Sequence, residues 1–118
     1  MLTAVEGSTR WYTFKLKKED GTPMPGSSLT HIYATLYEAA SQTVINGRSG
    51  TVDYLGTEMT VDVDGVYLWE MKPADNVYVG SGVKEVHRLV LKIMWAPDRV
   101  FYHKAEFEME NIPLVPAV

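Results

Sequence analysis

The side chains that could act as nucleophiles, general acids or metal ligands are few, and their spacing does not favour catalysis. His31, His87 and His103 are the three histidines. A hydrolytic zinc site sets its histidines at strand or helix spacing with a carboxylate close by, and neither H-x-H nor H-E-x-x-H occurs. His87 and His103 fall on runs expected to form neighbouring strands of a hairpin, where they could approach each other; they read as strand-face histidines. Ser8, Ser27, Ser28, Ser41, Ser49 and Ser81 lie in turn-like or terminal segments without a G-x-S-x-G elbow, and turn chemistry accounts for them. Paired carboxylates can hydrolyse glycosides. Here Asp62 and Asp64 flank a turn, and Glu106, Glu108 and Glu110 share the solvated face of one strand. The run from Asp62 to Gly65 also alternates oxygen ligands as calcium would want them, but the remaining positions of a calcium loop are missing. The expectation is a protein that is not an enzyme, with no catalytic residue, no metal and no cofactor.

Aromatic residues offer more: three Trp, seven Tyr and three Phe. Trp69 is the natural centre of a core. Trp95, Phe101 and Tyr102 bracket one turn with Arg99 between them. Trp, Tyr and Arg at a loop tip serve as interface anchors; they also pair across hairpins, and the same grouping could stack on a sugar ring. Residues 74–82 read as a loop long enough to be functional, with Asn76 and Tyr78 within it. The interface candidates are therefore Trp95, Arg99, Phe101, Tyr102, Asn76 and Tyr78. Residues 1–9 and 112–118 carry apolar side chains outside the obvious strands and read as extended arms, docked on a neighbour or frayed.

The elements that must position these residues are short strands. Period-2 alternation, broken by Gly, Pro, Asn and Asp, recurs in seven or eight runs. In 10–17, Tyr12, Phe14 and Leu16 share one face, and the run ends in the Asp20-Gly21 turn. In 30–37, Ile32, Ala34 and Leu36 point one way. Val44-Ile45 reads as a short strand closed by an Asn46-Gly47 hairpin turn, with another strand at 51–55. The run 58–63 enters a turn at Asp64-Gly65, and 66–72 is apolar on both faces until Glu70, as a central strand would be. In 84–95, His87, Leu89, Leu91, Ile93 and Trp95 line one side; in 100–111, Phe101, His103, Ala105, Phe107 and Met109 do so. No helix of three turns is indicated.

At 118 residues the chain makes one domain, 1–118. A net charge of −4 and scattered lysines and arginines argue against nucleic acid as a partner. No apolar run is long enough to span a membrane, and the first residues lack the basic start and apolar stretch of a signal peptide. Zero cysteines exclude a disulfide framework and fit a reducing cytoplasm. The expected fold is all-β, an antiparallel immunoglobulin-like β-sandwich of about seven to eight strands, with a closed barrel as the alternative.

Two stretches carry a family resemblance. Residues 14–25 read FKLKKEDGTPMP, a strand closed by D-G-x-P, and residues 61–73 read VDVDGVYLWEMKP, which fits D-x-x-G-x-Y-x-W-x-x-x-P. Together they resemble small immunoglobulin-like domains of tailed-bacteriophage virion proteins, found in necks, tails and baseplates. The resemblance implies a structural protein without catalytic residues, assembled in the host cytoplasm and located in the virion. Its partners would be other virion proteins and copies of itself, so a homo-oligomer is expected in the particle. A surface carbohydrate-binding or adhesion module is the alternative from a different class.

Overall fold

The computed structural model describes the backbone of residues 2–5 and all of residues 7, 9–80, 84–95 and 99–110. The expected arm at 112–118 lies outside them. Among the described residues there are eight strands: β1 (Leu2–Val5), β2 (Arg10–Lys15), β3 (Leu29–Glu38), β4 (Val44–Asp53), β5 (Met59–Val61), β6 (Val66–Met71), β7 (Lys84–Trp95) and β8 (Arg99–Glu110). They form two separate sheets, β1-β8-β7-β3-β4 and β2-β6-β5, which sets the closed barrel aside. All neighbours run antiparallel except β1, which lies parallel to β8. The first part of the expected N-terminal arm is thus an edge strand of the chain's own sheet.

Alternation in sequence becomes burial on two facing surfaces. Ile32, Ala34, Leu36, Leu89, Leu91, Ile93 and Phe107 come from the larger sheet, and Tyr12, Met59, Tyr67, Trp69 and Met71 from the smaller, into one core. β6 is the middle strand of its sheet. Its outward Leu68 nevertheless remains 40% exposed, because none of the described residues packs over that side. Gly65 starts β6 at φ 79°, and a Cβ there would lie 2.4 Å from the Leu16 carbonyl oxygen. This turn therefore requires glycine both for its left-handed backbone and for the close approach of the 16–24 segment.

One expected turn is not a turn. β4 runs through Asn46 and Gly47, whose φ angles of 51° and 65° mark bulges within a continuous strand. Between Tyr33 and Thr35 of β3, four residues of β4 are spanned; between Thr35 and Tyr37, five. The extra residues sit at a sheet edge, where bulges block strand addition by another chain. Asn-Gly supplies positive φ for a hairpin and for a bulge alike, so the local signal is the same.

Candidate functional site

The six interface candidates divide among three environments. In the β7–β8 hairpin, Trp95 pairs with Arg99, Ile93 with Phe101 and Lys92 with Tyr102. By strand parity Trp95, Arg99 and Phe101 face the smaller sheet, while Val100 and Tyr102 face away. Trp95 packs partly against the core. With Arg99 it lines an open cleft of about 510 Å³ whose other walls include Lys18, Asp20, Met24 and Ser28. The cleft mixes cationic and anionic groups. The Asp20 carboxylate sits below its ordinary pKa, chiefly because it accepts the Thr22 hydroxyl and amide hydrogens, at 2.6 and 3.0 Å.

Phe101 lies on the inward face yet is 38% exposed, beside Val100 at 39% and Tyr102 at 59%. The smaller sheet covers β8 only from His103 onward: Tyr12 and Phe14 reach His103, and Arg10 reaches Phe107. Toward the hairpin tip β8 remains exposed at Val100, Phe101 and Tyr102, on both of its faces, while Ile93 and Trp95 of β7 stay packed in or against the core.

Asn76 and Tyr78 lie elsewhere. The loop before β7 is tied to that strand's start by Glu85, which accepts the amide hydrogens of Val79 and Gly80 at 2.7 and 2.6 Å and also binds buried His87. This places the loop about 35 Å from the hairpin tip along β7, so the two cannot form one site. Asn76 is fully buried, in a 3-10 turn at Pro73–Asn76, and is therefore inaccessible to a partner; a polar residue in a loop reads as exposed until the loop is seen folded inward. Tyr78 is half-buried and lines a shallow groove with Val44 and Val77, both about half exposed.

The other sequence candidates find structural roles. His87 opposes Phe107 and His103 opposes Leu91, so the two histidines stand four rungs apart. Asp62 Oδ1 accepts the amide hydrogens of Asp64 and Val66, each at 2.9 Å, which shapes the turn into β6. Glu106 and Glu108 bind Arg88 and Lys84 across the β7–β8 ladder at 2.9 and 3.1 Å. Among the described residues, no group of three or more His, Asp or Glu could hold a metal ion.

Sequence reasoning missed the most highly charged feature of the interior. Arg48 is 3% exposed, stacked between the rings of Tyr54 and Trp69 at 4.9 Å from each. Its Nε donates to Asp75 Oδ1 at 2.5 Å, and its Nη1 and Nη2 donate to the two oxygens of Glu58 at 2.7 and 3.2 Å. Burial alone would lower the pKa of Arg48, but the hydrogen bonds it donates to Glu58 and Asp75 outweigh it and hold the guanidinium above its ordinary value. Asp75, fully buried, also accepts from Asn46 Nδ2 and the Lys72 amide, each at 2.9 Å. The cluster joins the β4 bulge, the loop before β5 and the turn after β6.

His103 is expected to give the fold a pH response. Its Nε2 shares a 2.6 Å hydrogen bond with the Tyr12 hydroxyl, and its ring stacks on Phe14 at 3.7 Å. Burial pushes its pKa below the ordinary value. A depressed folded pKa contributes stability that is complete above the unfolded value, about 6.5, and is lost as pH falls through the folded one. Glu38, held down first by the Ala40 amide and then by Ser41, adds loss only at more acid pH. The urea midpoint is therefore expected to decline below about pH 6.5 and again in the carboxylate range. His103→Phe should abolish the first decline and keep the second. A wild-type midpoint constant between about pH 7 and 5 would refute this role.

Comparison with models of known families, with characterised proteins and with solved structures finds no match for this chain.

Proposed function

We propose that this chain is a non-enzymatic structural protein acting through repeated protein–protein contacts, as a neck, tail or baseplate component of a tailed-phage virion. The observation that carries the contact role is the uncovered hairpin end. Val100, Phe101 and Tyr102, on three successive rungs, together expose apolar surface on both faces of β8, next to a cleft lined by Trp95 and Arg99. Aromatic residues with an adjacent arginine are the composition of interface centres. The virion setting rests on the resemblance of residues 14–25 and 61–73. The strand orders support the immunoglobulin-like part of the reading. The order β2-β6-β5 corresponds to the B-E-D sheet, and β8-β7-β3-β4 to the G-F-C-C′ sheet of a variable-type sandwich.

Quantitative mass spectrometry of particles purified from a lysate of cells carrying the coding sequence tests the proposal. The expected result is this chain in a fixed integer ratio to the capsid protein, and a reduced ratio for a Phe101→Ser/Tyr102→Ser variant that folds normally. Absence of the chain from particles would overturn the virion reading.

A further inference from the structure

The outer face of the smaller sheet carries a second feature, unconnected with the hairpin end. Trp11 on β2 is 57% exposed and Leu68 on β6 is 40% exposed. They share one face, two rungs apart: Trp11 opposes Glu70, and Leu68 sits between Thr13 and Thr60. Trp11, Leu68, Thr60, Glu70, Lys72 and Glu58 line one shallow depression of about 410 Å³, within the range of about 300–1,000 Å³ found for small-molecule sites.

What surrounds the indole decides the ligand. Glu58 is held from beneath by the buried guanidinium of Arg48, at 2.7 and 3.2 Å. Glu70 is held by the Lys72 ammonium at 2.7 Å. A cationic ligand would have to displace partners already in place, and an anionic ligand would meet two carboxylates beside the ring. Each carboxylate still has free lone pairs, since two oxygens offer about four acceptor positions. A protein partner is disfavoured because interface centres are depleted of charge, whereas here carboxylates flank the tryptophan. A neutral, polyhydroxylated ring fits: its C–H face packs on the indole, and its hydroxyls donate to Glu58 and Glu70 and exchange hydrogen bonds with Thr60. Glu58 is fixed by a buried group, so little ordering is required on binding.

We propose that the Trp11 face is a binding site for neutral saccharides. The site is separate from the hairpin-end contacts and does not depend on the virion reading.

The test uses the full chain, with isothermal titration calorimetry and tryptophan fluorescence against neutral β-linked hexasaccharides of glucose, xylose, mannose and N-acetylglucosamine and against neutral α-glucans. Heparin and polygalacturonate serve as acidic probes. At least one neutral glycan is expected to bind and to perturb the fluorescence. Trp11→Ala should weaken it about tenfold or more, as expected for one lost aromatic contact, while Trp11→Tyr retains part of the affinity. Glu70→Gln should weaken binding, and Tyr102→Ser should leave it unchanged. Circular dichroism melts would show that the variants fold. The proposal fails if no neutral glycan binds, if Trp11→Ala binds as wild type, if only the acidic probes bind, or if Trp11 becomes buried by self-association as concentration rises.

Discussion

Arg48→Met is expected to destabilise the protein by about 3–5 kcal/mol, the usual cost of removing one partner from a buried ion pair. The substitution nearly preserves side-chain length, so packing between Tyr54 and Trp69 is largely kept. What it removes is the counter-charge of Asp75, which is fully buried and whose other hydrogen bonds shown come from neutral donors, Asn46 and the Lys72 amide. Glu58 is half exposed and can turn to water, so the cost falls on Asp75. Against a total stability of about 5–15 kcal/mol for a single domain, such a loss is visible in a urea titration as a large fall in midpoint with an unchanged slope. Adding Asp75→Asn should recover part of it, because the amide needs no counter-charge and its one oxygen can keep either the Asn46 or the Lys72 hydrogen bond. A loss under about 1 kcal/mol, within the range of ordinary surface pairs, would show that the cluster is solvated in solution.

Trp69→Ala should cost a similar amount, about 3–5 kcal/mol, by removing the largest fully buried side chain and leaving a cavity that β-sheets on both sides cannot close. Trp69 opposes Tyr12 on β2 and Met59 on β5, so it sits centrally among the residues that all three strands of the smaller sheet send into the core. It also covers one face of the Arg48 guanidinium. The two effects are therefore not independent. The Arg48→Met/Trp69→Ala double variant should lose less than the sum of the singles, since the second substitution acts on a contact already broken. Strict additivity in that cycle would mean that the stacking contributes nothing to stability.

How far the sequence determined this protein depends on the range of the signal. A strand's faces are set by its own alternation, because successive Cβ atoms point to opposite sides whatever the partner. That is why Ile32, Ala34, Leu36, Leu89, Leu91, Ile93 and Phe107 were identifiable as inward-facing from their positions alone, and Trp69 as the centre of the core. Turns at Asp20-Gly21 and Asp64-Gly65 were legible for the same local reason: only glycine adopts those φ angles without strain.

Whether a face becomes covered is a different matter, because it depends on how far another sheet extends. Phe101 and Phe107 occupy equivalent positions on β8, yet one is exposed and the other fully buried, since the smaller sheet ends near His103. Asn46-Gly47 marked a reversal of the chain in sequence and became a bulge in space, because β4 had β3 to pair with on both sides of it. Arg48, Glu58 and Asp75 lie in three separate segments and carry no local sign of meeting. Trp11 and Leu68 lie on short strands of mixed pattern, and they form a surface because, among the described residues, no third layer packs over the smaller sheet. The alternation of side chains, local and geometric, was written in the sequence. The pairing of charges and the exposure of aromatics belong to the meeting of distant segments, and the tertiary structure alone decided them.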